Sequence, residues 1–322
     1  MKAIVQDTYG SADVLELRDI DTPVAGDTQV LVRIHAASIN ASDWYMMAGL
    51  PYLVRLGFGV PTPKIKVRGH DLAGEVVAVG SQVTRFQPGD LVFGATNGAF
   101  GEYACAPEDK LTAKPASVTF AQAAAVPVAA LTALQGLRDH GNLQSGQRVL
   151  VIGASGGVGS FAVQIAKALG AEVTGVCSTT NVELVSSIGA DRVIDYMRED
   201  FTDTDRRYDL LLDIRGTRPL SKCLRLLDPG GNYVLAGGPR GRWIGPLAAV
   251  FKLLVSKPFV GPRLRNFVAN INREDLSTLS DLMTSGKVTP AIDRTYPLGE
   301  VPDAIRYWET CHVRGKVVID CS

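Results

Sequence analysis

The run Val149-Leu150-Val151-Ile152-Gly153-Ala154-Ser155-Gly156-Gly157-Val158-Gly159 joins an apolar stretch to a tract with almost no side-chain bulk, and the helix-like Ser160 to Leu169 follows. Residues of these types in this order suit one chemistry. A tight turn that opens a helix points unpaired N–H groups outward, where they and the helix dipole bind a pyrophosphate. Gly156 lets the backbone approach the phosphates and Gly159 lets the helix pack on the strand, while Ala154 stands where the usual first glycine would be. Ala154, Ser155, Gly156, Gly157, Val158 and Gly159 are the expected dinucleotide contacts. The alternative is a structural turn that happens to be rich in glycine.

The two nicotinamide cofactors are told apart about 20 residues further on, where an Asp or Glu binds the ribose hydroxyls of NAD. This chain has Cys177-Ser178-Thr179-Thr180-Asn181 there, with no carboxylate. A 2′-phosphate meets no repulsion, and Ser178 can donate a hydrogen bond to it. NADPH is the expected cofactor, with NADH as the alternative. The same residues also suit an N-capped turn into the next helix.

A pyrophosphate turn needs a parallel sheet to carry it, and the chain supplies the pattern for one. Strands are expected at Arg148 to Ile152, Glu172 to Cys177, Arg192 to Ile194, Tyr208 to Asp213 and Asn232 to Ala236. Helical segments alternate with them at Gly157 to Leu169, Val182 to Ile188 and Pro219 to Leu227, as in βαβ units. The first 120 or so residues differ, with short β-like runs at Val30 to Ala37, Gly74 to Val79, Asp90 to Phe93 and Gly101 to Ala106 between turn residues. The Ala- and Leu-rich stretch Phe120 to His140 reads as helical. At the end of the chain, a helix at Ala304 to Thr310 and a strand at Gly315 to Asp320 are placed to pair back onto the first unit.

Composition narrows the class of partner. Lys plus Arg and Asp plus Glu number 33 each, so there is no net charge to gather nucleic acid or an anionic membrane. Five scattered cysteines, Cys105, Cys177, Cys223, Cys311 and Cys321, make no C-x-x-C pair and suit a reducing compartment. No apolar run reaches the roughly 18 residues of a membrane span, and the N-terminus carries no signal-peptide pattern. A soluble, cytoplasmic protein is expected. Trp243 to Val260 is apolar with Lys252 and Lys257 interspersed, which suits a homodimer interface, a lid or an amphipathic surface helix.

Seven short motifs, in order, show that the chain resembles the medium-chain dehydrogenase/reductase superfamily, and within it the zinc-free quinone oxidoreductase-like branch. They are Asn40-Ala41-Ser42-Asp43, Gly69-His70-Asp71-Leu72-Ala73-Gly74-Glu75-Val76, Pro88-Gly89-Asp90-Leu91-Val92, Ala99-Phe100-Gly101-Glu102-Tyr103, Ala130-Leu131-Thr132-Ala133, the glycine turn, and Gly189-Ala190-Asp191 ahead of Asp195-Tyr196. The resemblance implies an α/β fold: a GroES-like β domain formed by both chain ends plus a central Rossmann domain, with the active site in the cleft between them. The expected division is 1–122 for the first part of the catalytic domain, 123–285 for the Rossmann domain and 286–322 for the return.

Zinc alcohol dehydrogenases share that fold, and catalytic zinc needs three protein ligands. By resemblance, the first cysteine ligand falls at Asn40 and the third near Val128, and only His70 matches a ligand. The four cysteines of a structural zinc lobe are represented by Cys105 alone. No metal is expected. Without a Lewis acid the site suits an acceptor that is already electrophilic, a quinone or an α,β-unsaturated carbonyl. An alcohol or ketone reductase of the same fold and a cofactor-binding regulatory protein are the alternatives.

The resemblance also places residues. Asn40 and Tyr45 line the nicotinamide and substrate site, with Tyr45 a candidate proton donor. Thr132 falls near the nicotinamide, Gly237 on the cofactor surface, and Tyr196 at the 2′-phosphate end. The lysine that many NADPH-dependent members carry after the second strand is missing from Asn181-Val182-Glu183, so Arg314 and Lys316 are the expected source of positive charge. Structural roles compete with several of these. Asp43 suits a cap on local N–H groups, Thr132 a hydroxyl bonded to the preceding turn, and His70 a relic of the metal site hydrogen-bonded beside Asp71. No Gly-x-Ser-x-Gly elbow is present.

Overall fold

The computed structural model describes residues 1–238 and 263–322. The segment Trp243 to Val260 therefore lies outside the described residues. The chain divides into two compact units, one of residues 1–131 with 271–322 and one of residues 132–270.

The first unit is built on one long strand. After the antiparallel pair β1 (Lys2–Gln6) and β2 (Leu15–Asp19), β3 (Gln29–Ser38) alternates, burying Val30, Val32 and Ile34 while exposing Arg33. It is flanked by β4 (Asp71–Val79) and β6 (Tyr103–Pro107), and β5 (Leu91–Ala95) and β7 (Leu111–Ala113) continue the sheet beyond β4. Between β3 and β4 lie α1 (Ala41–Ala48) and the short α2 (Arg55–Phe58). Asn40 is the extended N-cap of α1, and Gly49 ends the helix in the left-handed region at φ 62°.

Phe120 to His140 is not one helix. Thr119 caps α3 (Phe120–Ala124) with Gln122 as its reciprocal partner, and α4 (Pro127–Gln135) begins at a proline, which has no N–H to give to a continuing helix. A single π-helical turn, Gly136–His140, follows.

The second unit is a parallel sheet. Its elements run β8 (Arg148–Ile152), α5 (Gly157–Ala168), β9 (Glu172–Cys177), α6 (Val182–Ser187), β10 (Arg192–Asp195), β11 (Tyr208–Asp213), α7 (Leu220–Leu224), β12 (Leu227–Leu235) and β13 (Arg263–Asn266). The strand order is β10-β9-β8-β11-β12-β13, with every pairing parallel. Val149, Leu150 and Val151 have no exposure at all, as a strand covered on both faces requires. The order reverses between β8 and β11, the point where such sheets bind ligands beyond the carboxyl ends of their strands.

The chain then returns to the first unit through α8 (Arg273–Thr284), β14 (Ile292–Pro297), α9 (Val301–Glu309) and β15 (Lys316–Asp320). β15 runs antiparallel to β3, with Val318 opposite Ser38, so both chain ends share one sheet in the order β14-β15-β3-β4-β5-β7. Residues 123–131 and 271–285 were expected in the central domain and lie instead in or at the edge of this first unit. Val128 N–H donates to Asp71 Oδ1, which ties the start of α4 to β4, and α8 packs on β7.

Two glycines at the β8–α5 turn are demanded by geometry. Gly153 holds φ +89°, and a Cβ on Gly159 would sit 2.0 Å from the Gly153 carbonyl oxygen, which is backbone and has nowhere to go. Replacing Gly159 with Ala is expected to cost roughly 1–3 kcal/mol by overpacking. Urea denaturation checks it, and an unchanged midpoint would contradict the close approach.

Candidate active site

Three adjacent strands bring a buried polar cluster to the N-terminus of α1. β3 ends at Ser38 and delivers Ile39 and Asn40, β4 begins at Asp71 opposite Ser38, and β15 begins at Lys316. Asn40 is 6 % exposed, Lys316 2 % and Asp71 not at all. Lys316 Nζ donates to the Ile39 carbonyl at 2.9 Å and to Asn40 Oδ1 at 2.6 Å, and lies 3.6 Å from Asp71 Oδ2. Asp71 Oδ2 accepts from Asn40 Nδ2 at 2.8 Å and from Ser38 Oγ at 3.1 Å, while its Oδ1 accepts the Val128 N–H at 3.1 Å. Burial pushes the Asp71 carboxyl up and the Lys316 ammonium down. The opposite charge of each works against the other's shift.

Asp43 serves two neighbours from the first turn of α1. Its Oδ2 accepts the Asn40 N–H at 2.7 Å, the backbone-capping role foreseen for it, and its Oδ1 meets His70 Nδ1 at 2.6 Å. His70 thus pairs with Asp43 rather than Asp71. Burial alone would push the imidazole down, but the charge and hydrogen bond of Asp43 outweigh it and hold His70 above its ordinary value. Tyr45 is half-buried on α1 with its ring edge-on to Trp44 at 5.1 Å, and Thr132 is half-buried on α4.

In the second unit, the loops at the carboxyl ends of the parallel strands gather the residues expected to hold the nucleotide. Ser155, Gly156, Gly157 and Val158 are half-exposed at the start of α5, whose first N–H groups have no acceptor within the helix. Among the described residues, a Cβ on Gly156 would lie 3.6 Å from the Gly153 carbonyl oxygen and meet nothing else within 4 Å. The residues fit a dinucleotide pyrophosphate. Ala154 differs from expectation, because its N–H donates to the Val176 carbonyl at 3.0 Å and its side chain is fully buried, so the tight turn belongs to Gly153. Gly237 follows β12 against the Ile214 carbonyl, which a Cβ would approach to 2.1 Å. Asp213, at the end of β11, accepts from Tyr233 Oη and from the N–H groups of Arg215 and Gly216, which shapes that turn.

At the end of β9, Ser178 Oγ accepts from Asn181 Nδ2 at 3.0 Å, and Tyr196 is 46 % exposed with its N–H on the Cys177 carbonyl. A carboxylate does reach this corner, from the neighbouring strand. Asp195 pairs in register with Cys177, accepts from Thr179 Oγ1 at 2.6 Å, and lies 3.3 Å from Arg198 Nε. Only the pairing register reveals it. Burial, with the Asp195 charge, pushes the Cys177 thiol up to about 11, so it is no nucleophile.

The positive charge assigned to Arg314 and Lys316 divides differently. Arg314 is exposed and its N–H donates to Asp293 Oδ2. Lys316 is not a phosphate ligand. Its ammonium is buried and directed onto Ile39, Asn40 and Asp71 within the first unit.

A histidine whose pKa is raised by folding adds stability that is full below its unfolded value near 6.5 and is lost as pH rises through its native value. The stability advantage of the native chain over His70→Gln is therefore expected to shrink from pH 6 to pH 9. Urea midpoints of both proteins measure it, and an advantage that grows with pH would contradict the Asp43 pairing.

Comparison with known proteins agrees with this geometry. Residues 26–116 match the family described as alcohol dehydrogenase GroES-like domain, and residues 188–319 match zinc-binding dehydrogenase. The chain is 36 % identical over 336 residues to 2-methylene-furan-3-one reductase of Solanum lycopersicum, covering 99 % of this chain and 79 % of that protein. It is 34 % identical to the chloroplastic NADPH-dependent alkenal/one oxidoreductase of Arabidopsis thaliana, with the same 99 % and 79 % coverage. The solved structure of the quinone oxidoreductase from Coxiella burnetii superposes with a TM-score of 0.87 at 32 % identity over 99 % of both chains. The chain belongs to the medium-chain dehydrogenase/reductase superfamily, in its quinone oxidoreductase-like branch, and is an NAD(P)H-dependent oxidoreductase.

Proposed function

We propose that the protein is an NADPH-dependent reductase that passes hydride to a quinone or an α,β-unsaturated carbonyl without a metal ion. The observation that carries this reading is the cluster around Asn40. One matched family is described as zinc-binding, but the residues here do not fit zinc. Asn40, with a lysine ammonium against it, and Val128 stand at two of the three ligand positions, and among the described residues no group of three or more His, Cys, Asp or Glu is placed to hold a metal. Relatives named as alkenal/one and furanone reductases support the choice of acceptor.

Bound NADPH supplies a hydride, and the rest falls to the chain's own residues. Hydride addition at the carbon β to a carbonyl shifts the C=C electron pair into a new double bond to the carbonyl carbon and the C=O pair onto oxygen. The Nδ2 atom of Asn40 carries a second hydrogen beyond the one given to Asp71, and that donor stabilises the developing negative charge. Tyr45 or solvent returns a proton to the enolate. The N–H groups of Gly157 and Val158, with Gly156 leaving room, hold the pyrophosphate.

Preference for the phosphorylated cofactor rests on Ser178, Tyr196 and Arg198. Asp195 stands at this corner, but Thr179, the Met197 N–H and Arg198 already engage it, and Arg198 is 76 % exposed and offsets its charge. Removing the Arg198 side chain with Arg198→Ala is expected to weaken NADPH binding roughly tenfold, the scale of one hydrogen bond to a charged group, and to leave NADH binding nearly unchanged. Fluorescence titration reads both affinities; equal losses, or tighter NADH binding by the native protein, would refute the preference. In a panel of quinones, enones and simple aldehydes, cofactor oxidation is expected with the first two classes. Turnover of aldehydes alone would sink the proposed acceptor.

A further inference from the structure

A fold has little thermodynamic reason to bury Lys316 and Asp71 together, since a well-packed apolar pair is often as stable or more so. What the pair gives is orientation. An ammonium only donates hydrogen bonds and a carboxylate only accepts them, whereas an asparagine amide does either, depending on which way it is turned. Lys316 Nζ stands 2.6 Å from one end of the Asn40 amide and Asp71 Oδ2 stands 2.8 Å from the other. A half-turn of the amide would set NH2 against the ammonium and the oxygen against the carboxylate, two repulsive contacts in a site with almost no solvent. The backbone adds to the constraint: the Ile39 carbonyl holds the ammonium and the Val128 N–H holds the carboxylate.

We propose that Lys316 and Asp71 are positioning residues that lock the Asn40 amide, so that its second Nδ2 hydrogen, and never its oxygen, faces the carbonyl oxygen of the acceptor. This rests on the role given above to Asn40. A free amide would spend part of its time presenting Oδ1, which repels the oxygen that gains charge as hydride arrives. The lock acts on the transition state more than on binding, so its loss lowers kcat and leaves KM alone. It does no chemistry itself: the two charges never leave the interior of the first unit.

The test is steady-state kinetics on the full chain with NADPH and an enone, comparing Asn40→Ala, Lys316→Met and the two combined. Because Lys316→Met strands the Asp71 charge, a second variant, Asp71→Asn with Lys316→Met, removes both charges while leaving side chains that fill the space; thermal melting checks that it folds. Asn40→Ala is expected to lower kcat roughly 100-fold, the scale of one lost oxyanion donor. Lys316→Met and the neutral pair are expected to lower kcat about tenfold with acceptor KM and NADPH Kd nearly unchanged, and to cost nothing further once Asn40 is Ala. The lock is overturned if either Lys316 variant turns over at the native rate while Asn40→Ala is impaired, or if the losses multiply in the combined variant. Native turnover by Asn40→Ala itself would instead remove the role of Asn40, and the lock with it.

Discussion

Lys316 Nζ meets Asn40 Oδ1 across 276 positions of sequence, and that one contact makes the closing of the fold and the building of the site the same event. The lysine begins β15, the asparagine follows β3, and Asp71 begins β4, so the three come together only when the last strand of the chain has paired with β3. Taking away one partner leaves a buried charge, a cost of about 3–5 kcal/mol. The same junction fixes Asp43, because its carboxylate holds the Asn40 backbone, and through Asp43 it fixes His70.

The second unit solves a different problem with little charge. Its six described strands all run the same way, so their ends contribute loops to one rim, and the rim collects Gly153, Ser178, Tyr196 and Gly237. On the proposed reading, backbone donors at the start of α5 do the work that a basic surface would do elsewhere, which is consistent with equal numbers of acidic and basic residues. Asp195 and Arg198 show how such a rim sets charge locally: a carboxylate at the end of β10 is answered by a guanidinium three residues on.

Much of this was legible in the residues themselves. Strands β8, β9 and β11 begin and end where expected, because fully buried parallel strands are uniform apolar runs cut off sharply by Gly, Ser or charged residues. α1 was not expected: Ala-Ser-Asp-Trp-Tyr-Met-Met-Ala buries only Asp43, Met46 and Met47, too few positions to show a helical period. Asn40, Asp43 and His70 were identified by type and motif, and so was the cap that Asp43 places on a local N–H, yet the partners of Asn40 and His70 were not, since contacts between segments distant in sequence depend on register and packing rather than on local sequence. Lys316 is the sharpest case. A lysine near a chain terminus reads as exposed, and only the antiparallel pairing of β15 with β3 turns it inward. Asp195 escaped for the same reason, being brought to β9 by strand pairing.

The account stands on metal-free delivery of hydride to the carbon β to a carbonyl, and isotope transfer tests that directly. Protein treated with a chelator and confirmed free of zinc is given NADPH deuterated at the transferred C4 position together with an enone, and the product is read by NMR. Deuterium at the β-carbon of a saturated ketone is the predicted result. Deuterium at the carbonyl carbon of an allylic alcohol, or activity that vanishes with the chelator and returns with zinc, would contradict it.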